Sequence, residues 1–183
     1  FLANTIYKDI PNYFDEQRFS KHNVEIGKHL LKKEFKQALE LIDNEKCTFH
    51  LQEKSNDYVG ALKLLPIRLL RMYVNAYQSY LWNKTVAGYL EKKGKILKKV
   101  PYSVGEFVFF SEPKQFKDLK IPLIGFGHDD FENKEVQTII DEIMREEELS
   151  YADFIIKQIP ELTLEGGLRN VFVEVKDLKI GKR

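Results

Sequence analysis

The chain has 183 residues, 43% hydrophobic and 31% charged, enough to bury a sizeable core and too apolar for a disordered segment. Lys and Arg number 29 against 28 Asp and Glu, so the net charge of +1 gives no argument for nucleic-acid binding, which must rest on local clusters. The lone Cys47 excludes an internal disulfide and reads as a packed core residue, and no apolar run approaches the ~18 residues of a membrane span.

The first informative stretch is Asp9-Ile10-Pro11-Asn12-Tyr13-Phe14-Asp15-Glu16-Gln17-Arg18-Phe19-Ser20. Pro11 fixes its own φ and pushes Ile10 towards an extended conformation. Aromatic residues then interleave with amides, acids and Arg18 without a clean period. Such a stretch can stack on a planar ligand while its polar groups bond the ligand's edges; it can equally be an edge strand and turn with aromatics in the core. The order Pro11-Asn12-Tyr13-Phe14-x-Glu16-Gln17-Arg18-Phe19 closely resembles the Asn-Tyr-Phe-Gly-x-Gln-Arg-Phe-Gly motif of the TruD-type tRNA pseudouridine synthases. Asp15 and Ser20 stand where that pattern has Gly, which leaves the local turn geometry open.

Residues from about Asn23 to Asp43 read as one amphipathic helix, with Val24, Leu31, Phe35, Ala38, Leu39 and Ile42 on its apolar stripe. His22 and His29 read as solvated or capping residues. The polar stretch Asn44 to Gly60 suggests a loop or short helix. Pro66 opens a longer helix, Ile67 to about Lys92, with Leu70, Tyr73, Val74, Tyr77 and Leu81 recurring at three- and four-residue steps. Its order Arg71-Met72-Tyr73-Val74-Asn75-Ala76-Tyr77-Gln78-Ser79-Tyr80-Leu81-Trp82-Asn83 is similar to the family's Arg…Ala-Tyr-Gln-Ser-Tyr-Leu-Phe-Asn helix, although a core helix with incidental arginines fits the pattern too.

Glu91 to Lys99 reads as a basic turn, either a solvated face or a phosphate-contacting patch through Lys98 and Lys99. Val108-Phe109-Phe110 and Leu123-Ile124-Gly125-Phe126 read as short buried strands, and Ile121 to Gly125 is similar to a Pro-Leu-x-Gly element of the family. His128-Asp129-Asp130 has no further ligand at matching spacing and is not read as a metal site. A helix from about Glu132 to Glu148 buries Val136, Ile139, Ile140, Ile143 and Met144, and its Glu146-Glu147-Glu148 end reads as an exposed, fraying turn. Ser150-Tyr151-Ala152-Asp153 has the form of a capping box. Gly166-Gly167-Leu168-Arg169 leads into an alternating strand, Val171 to Val175. Arg169 reads either as a surface residue or, by the resemblance, as one near the active cleft.

The resemblance implies an α/β (α+β) fold in which pseudouridine-synthase-type catalytic-domain segments, residues 1–25 and 166–183, flank a smaller α/β insertion domain, residues 26–165. It implies isomerisation of uridine to pseudouridine, uridine 13 of tRNA in the family, by flipping the base from its stack. Phe14 would stack on the uracil and Asn12 would orient the catalytic carboxylate. Gln17, Arg18 and Phe19 would support the same wall, and Gln17, Arg18, Phe19, Arg71, Gln78, Lys98, Lys99 and Arg169 are the expected RNA- or substrate-binding residues. No metal or organic cofactor is expected; the partner is tRNA and the setting cytoplasmic. The family's essential aspartate lies in a Gly-x-Lys-Asp-type loop, a context that neither Asp9 nor Asp15 has. The chain therefore reads as a piece of a longer enzyme, inactive alone and dependent on further segments of it. Rival readings are a non-catalytic RNA-binding module and a helical protein-interaction domain.

Overall fold

The computed structural model describes residues 9–111, 116, 118–127 and 131–174. Strand β1 (Asp9–Pro11) and a 3-10 turn (Glu16–Phe19) lead into α1 (Asn23–Leu31) and α2 (Phe35–Ile42). The single helix expected over 23–43 is thus two. Lys33 adopts a left-handed φ of 61° between them, and His29 Nδ1 meets Glu34 Oε2 across the break at 2.6 Å. A left-handed residue cannot continue a right-handed helix. Residues 44–60, read as a loop or short helix, form two starts. Asn44 Oδ1 accepts from the Lys46 N–H ahead of α3 (Glu45–Glu53), and Asp57 Oδ1 accepts from the Gly60 N–H ahead of α4 (Tyr58–Lys63).

Helix α5 (Ile67–Lys93) has 27 residues and is about 40 Å long. Pro66 stands at its N-cap and Gly94, with φ of 69°, ends it. The hairpin β2 (Ile96–Tyr102) and β3 (Gly105–Phe110) follows, so the expected basic turn is split: Glu91 to Lys93 end α5 and Ile96 to Lys99 open the hairpin. Then come β4 (Lys120–Leu123), α6 (Lys134–Glu146), 3-10 turns at Tyr151–Phe154 and Pro160–Leu162, β5 (Gly167–Asn170) and β6 (Phe172–Glu174). The capping box at Ser150 and Asp153 forms as read. The strand expected over 123–126 is displaced to 120–123, and Phe126 keeps only an isolated parallel bridge to Glu165. His128-Asp129-Asp130 and Val175 lie outside the described residues.

The architecture is mixed α/β, helices dominating. Three antiparallel ladders of two strands each, β1 with β6, β2 with β3, and β4 with β5, hold the described strands. The first sets Asp9 opposite Glu174 and Pro11 opposite Phe172, joining distant parts of the sequence. A single core of buried residues runs along α5, where Val74, Tyr77, Leu81, Trp82, Val86 and Leu90 are almost wholly covered.

Helix α1 crosses α5 at Gly27, where a Cβ would collide with the backbone carbonyl of Tyr73. Gly125 has the same role beside Glu165 and Gly166, which explains why a Pro-Leu-x-Gly element closes on glycine. Gln78 secures that second approach: its Nε2 donates to Ile124 O (2.9 Å) and Glu165 O (3.2 Å).

The acidic end of α6 departs most from the reading of the sequence. Glu147 is buried, not fraying. It accepts from Lys28 Nζ at 2.7 Å, Tyr77 OH at 3.0 Å, Tyr80 OH at 3.0 Å and Lys84 Nζ at 3.3 Å. Burial alone would raise its pKa. The hydrogen bonds from Lys28 and Tyr77, then the Lys28 charge and the Tyr80 bond, outweigh this and bring it down to about 2. A carboxylate with a lowered folded-state pKa contributes stability above its ordinary value near 4.5, lost as pH falls towards 2. Glu147→Ala should therefore destabilise the fold by about 2–4 kcal/mol at pH 7, because it strands the Tyr77 hydroxyl and separates Lys28 from its charge partner. Urea titrations of the two proteins should converge between pH 4.5 and 2. Gly27→Ala should lose about 1–3 kcal/mol in the same titration, against the better helix propensity of alanine, because the helices must move apart.

Candidate nucleic-acid interface

The 12–20 segment is pinned residue by residue. Asn12 extends the β1–β6 ladder with its N–H to Val171 O at 2.7 Å, and its Nδ2 donates to Asn170 O at 3.1 Å. Tyr13 turns the other way. Its hydroxyl donates to Val108 O at 3.1 Å and accepts from Val108 N–H at 3.2 Å, and burial pushes the phenol well above its ordinary pKa. An aromatic file joins Tyr13, Phe107, Tyr102 and Phe19 at successive ring distances of 5.0, 4.1 and 5.5 Å, and burial pushes Tyr102 up to about 12. Tyr13 and Phe19 thus plug the segment onto the hairpin. Glu16 adds a bond from Ser103 N–H at 2.9 Å.

Phe14 alone of the three aromatics is left to face α5. The side chain of Asn83 grips its backbone on both sides: Oδ1 accepts from Phe14 N–H at 3.0 Å and Nδ2 donates to Phe14 O at 3.0 Å. Trp82 meets the ring edge-on at 5.6 Å. Two guanidinium groups stand over it, Arg169 at 4.1 Å and Arg18 at 4.8 Å from the ring centre. Arg169 also donates through Nη2 to Asn12 Oδ1 (2.8 Å) and Asn12 O (3.0 Å), while its buried Nε finds no acceptor. Burial, with the nearby Arg18 charge, lowers the pKa of Arg169. Two like charges over one ring, with no carboxylate partner among the described residues, make this wall electropositive. A half-buried planar ring with N–H donors over it suits a nucleobase.

Beside the wall opens a cavity of about 910 Å³ between residues 13–23 and the first turns of α5. Arg18, Lys21, Arg68 and Arg71 line it with Asp15 as the sole acid, and Gln17, Met72 and Asn75 complete its rim. A second cavity, about 590 Å³, lies between α5, α6 and the hairpin; Glu91, Glu106, Glu142 and Glu146 there outnumber Lys84 and Lys92, which repels a polyanion.

The structure therefore brings Asn12, Phe14, Arg18 and Arg169 together and sets Gln17 and Arg71 on the adjoining cavity. It does not bring in the others. Phe19 is 1% exposed and Gln78 8%, both committed to packing or backbone bonds, so neither offers a surface to RNA. Lys98 and Lys99 lie on β2 away from the cavity lining, and Lys99 pairs with Glu91 and Glu106. Asp15 and Ser20 both have negative φ, −77° and −55°, so neither needs the freedom of glycine. Lys21 takes the left-handed turn instead, at φ of 53°. Sequence reasoning passed over Asn83, Arg68 and Lys21. A buried Asn must find partners, and that signal in the second motif could have flagged Asn83.

Comparison with known proteins agrees with the motifs. The family described as tRNA pseudouridine synthase D (TruD) matches residues 40–124. The chain is 27% identical to the probable tRNA pseudouridine synthase D of Nanoarchaeum equitans, over 94% of this chain and 54% of that protein. It is 26% identical to the tRNA pseudouridine synthase D of Aquifex aeolicus, over 92% and 54%. The fold matches the crystal structure of the putative tRNA pseudouridine synthase D from Methanosarcina mazei with a TM-score of 0.70 at 22% identity, covering 91% of this chain and 52% of that one. The chain spans about half the length of the curated relatives it matches. Two ordered motifs, joined in space by the Asn83 grip on Phe14, and matches over nearly all the chain lead to one conclusion: the chain is similar in sequence and fold to the TruD-type tRNA pseudouridine synthases.

Proposed function

We propose that this chain forms the uridine-binding wall of a tRNA pseudouridine synthase acting in the cytoplasm, with the nucleophilic aspartate supplied by a segment outside these 183 residues. The observation that carries the reading is the Phe14 ring, held by Asn83, with Arg18 and Arg169 over it and Asn12 fixed beside it. Phe14 receives the flipped uracil. The guanidinium N–H groups over the ring offer donors to the uracil carbonyl oxygens. Asn12 has its Oδ1 occupied by Arg169 and one Nδ2 hydrogen on Asn170 O, which leaves the second Nδ2 hydrogen as the group that addresses a carboxylate. The electropositive wall keeps that carboxylate ionised for attack or proton abstraction. Uridine 13 is the target, as in the family.

Arg169 has a second role, positioning Asn12 through its Nη2. The pairing of β1 with β6 and the Asn12–Arg169 bonds support grouping residues 1–25 with 166–183 as catalytic-domain segments around an insertion, 26–165.

Tritium release from 5-tritiated uridine in tRNA tests the reading. The 183-residue chain alone should bind tRNA and release nothing, whereas the complete polypeptide carrying these residues should release tritium. In the latter, Phe14→Ala and Asn12→Ala should each lower kcat about 100-fold. Release by the 183 residues alone would overturn the external aspartate, and full activity of Phe14→Ala would overturn the wall. Arg169→Lys, which keeps the charge but not the planar fork over Asn12 and Phe14, should lower kcat by more than it raises KM.

A further inference from the structure

We infer that the cavity between residues 13–23 and the first turns of α5 is a second nucleotide subsite, taking the phosphodiester next to the flipped uridine. The inference rests on the synthase reading of the Phe14 wall and goes beyond it in assigning Lys21, Arg68 and Met72.

The charge distribution is the first argument. Arg18, Lys21, Arg68 and Arg71 converge on one concavity, and among the described residues none of the four pairs with a carboxylate. Asp15, the sole acid of the lining, spends an oxygen on the Glu16 N–H at 2.7 Å. In a chain of net charge +1, a lining of four cations to one anion is a strong local departure. Concave, single-sign surfaces focus the field and raise the local concentration of an oppositely charged ligand.

Position and lining supply the second argument. The cavity shares Phe14 and Arg18 with the uracil wall, so a strand whose uridine is flipped onto Phe14 must run its neighbouring backbone through or past it. Arg68 and Arg71 stand one turn apart on α5, and Glu161 O holds Arg71 by its Nε at 3.0 Å. Met72, 41% exposed on the same helix, is a large apolar side chain left uncovered beside these cations. A phosphate on the cations with an unstacked base against Met72 accounts for both features. Its volume, about 910 Å³, admits a nucleotide.

Binding of a fluorescent single-stranded uridine pentamer by the 183-residue chain, followed by anisotropy from 25 to 200 mM salt, tests the inference. Arg68→Ala with Arg71→Ala should weaken binding at least fivefold at low salt and reduce the slope of log affinity against log salt by about 1. Lys46→Ala with Lys54→Ala, which removes equal charge from the two ends of α3, should change neither by as much. Arg68→Glu alone should weaken binding further than Arg68→Ala, and circular dichroism should show all variants folded, since these side chains are exposed. Equal losses in the two double variants would overturn the subsite. Loss of pentamer binding in the arginine variant, with no tritium release from the complete polypeptide, would leave the subsite standing and overturn the synthase reading. Tritium release that depends on Phe14 but not on Arg68 and Arg71 would do the reverse.

Discussion

One buried carboxylate holds the helical body together. Glu147 closes α6, and its four donors come from α1 and from two successive turns of α5, so three helices meet at a single pair of oxygens. A carboxylate has about four acceptor directions, and here each is used. Such a group is specific in a way apolar packing is not, because any other rotation of α5 would bury an unpaired charge. That rotation turns the Arg68, Met72, Asn75, Ser79 and Asn83 side of α5 towards the 12–20 segment, while Tyr77, Tyr80 and Lys84 face α6. The site is therefore oriented by a contact on the far side of the helix that carries it.

The parts of the fold legible in the sequence are those in which one strong local signal decides. Helix α5 was legible because a long Pro-free stretch kept its period, and the Ser150–Asp153 capping box because both partners are adjacent. Residues 44–60, read as a loop or short helix, were partly legible: Asn44 and Asp57 cap two short helices through partners two and three residues on. Failures arose where a distant partner overrides local character. The run of three glutamates suggested fraying, and only the approach of Lys28, from a helix about 120 residues earlier, converts Glu147 into a core group.

The candidate site divides along the same line. Phe14, Asn12 and Arg18 could be read because their order in one motif is unusual. Phe19 and Gln78 sit in the same two motifs, and no sequence pattern separates them from residues that face solvent; their burial follows from Tyr102 and Glu165, both remote in sequence. Lys98 and Lys99, read either as a solvated face or as a phosphate patch, lie outside the cavity beside the wall. Glu91 and Glu106 pair with Lys99, and the cations that converge on one cavity, Arg18, Lys21, Arg68 and Arg71, are dispersed along the sequence. A cluster assembled by folding has no signature as a run.

The wall also has a place in the order of folding. Asn12 and Asn170, whose side chain and carbonyl bond across the β1–β6 junction, are 158 residues apart in sequence. Closing a loop of that length costs about 4–5 kcal/mol of chain entropy, repaid only when the intervening body already holds its ends near one another. The helices, whose contacts are mostly shorter in range, can condense first, and the ladder that carries Asn12 and Arg169 closes over them afterwards. The residues proposed to recognise a base are thus held by some of the longest-range contacts among the described residues. A molecule that lost this ladder while keeping its helices would lose the proposed wall, which ties base recognition to the completed fold.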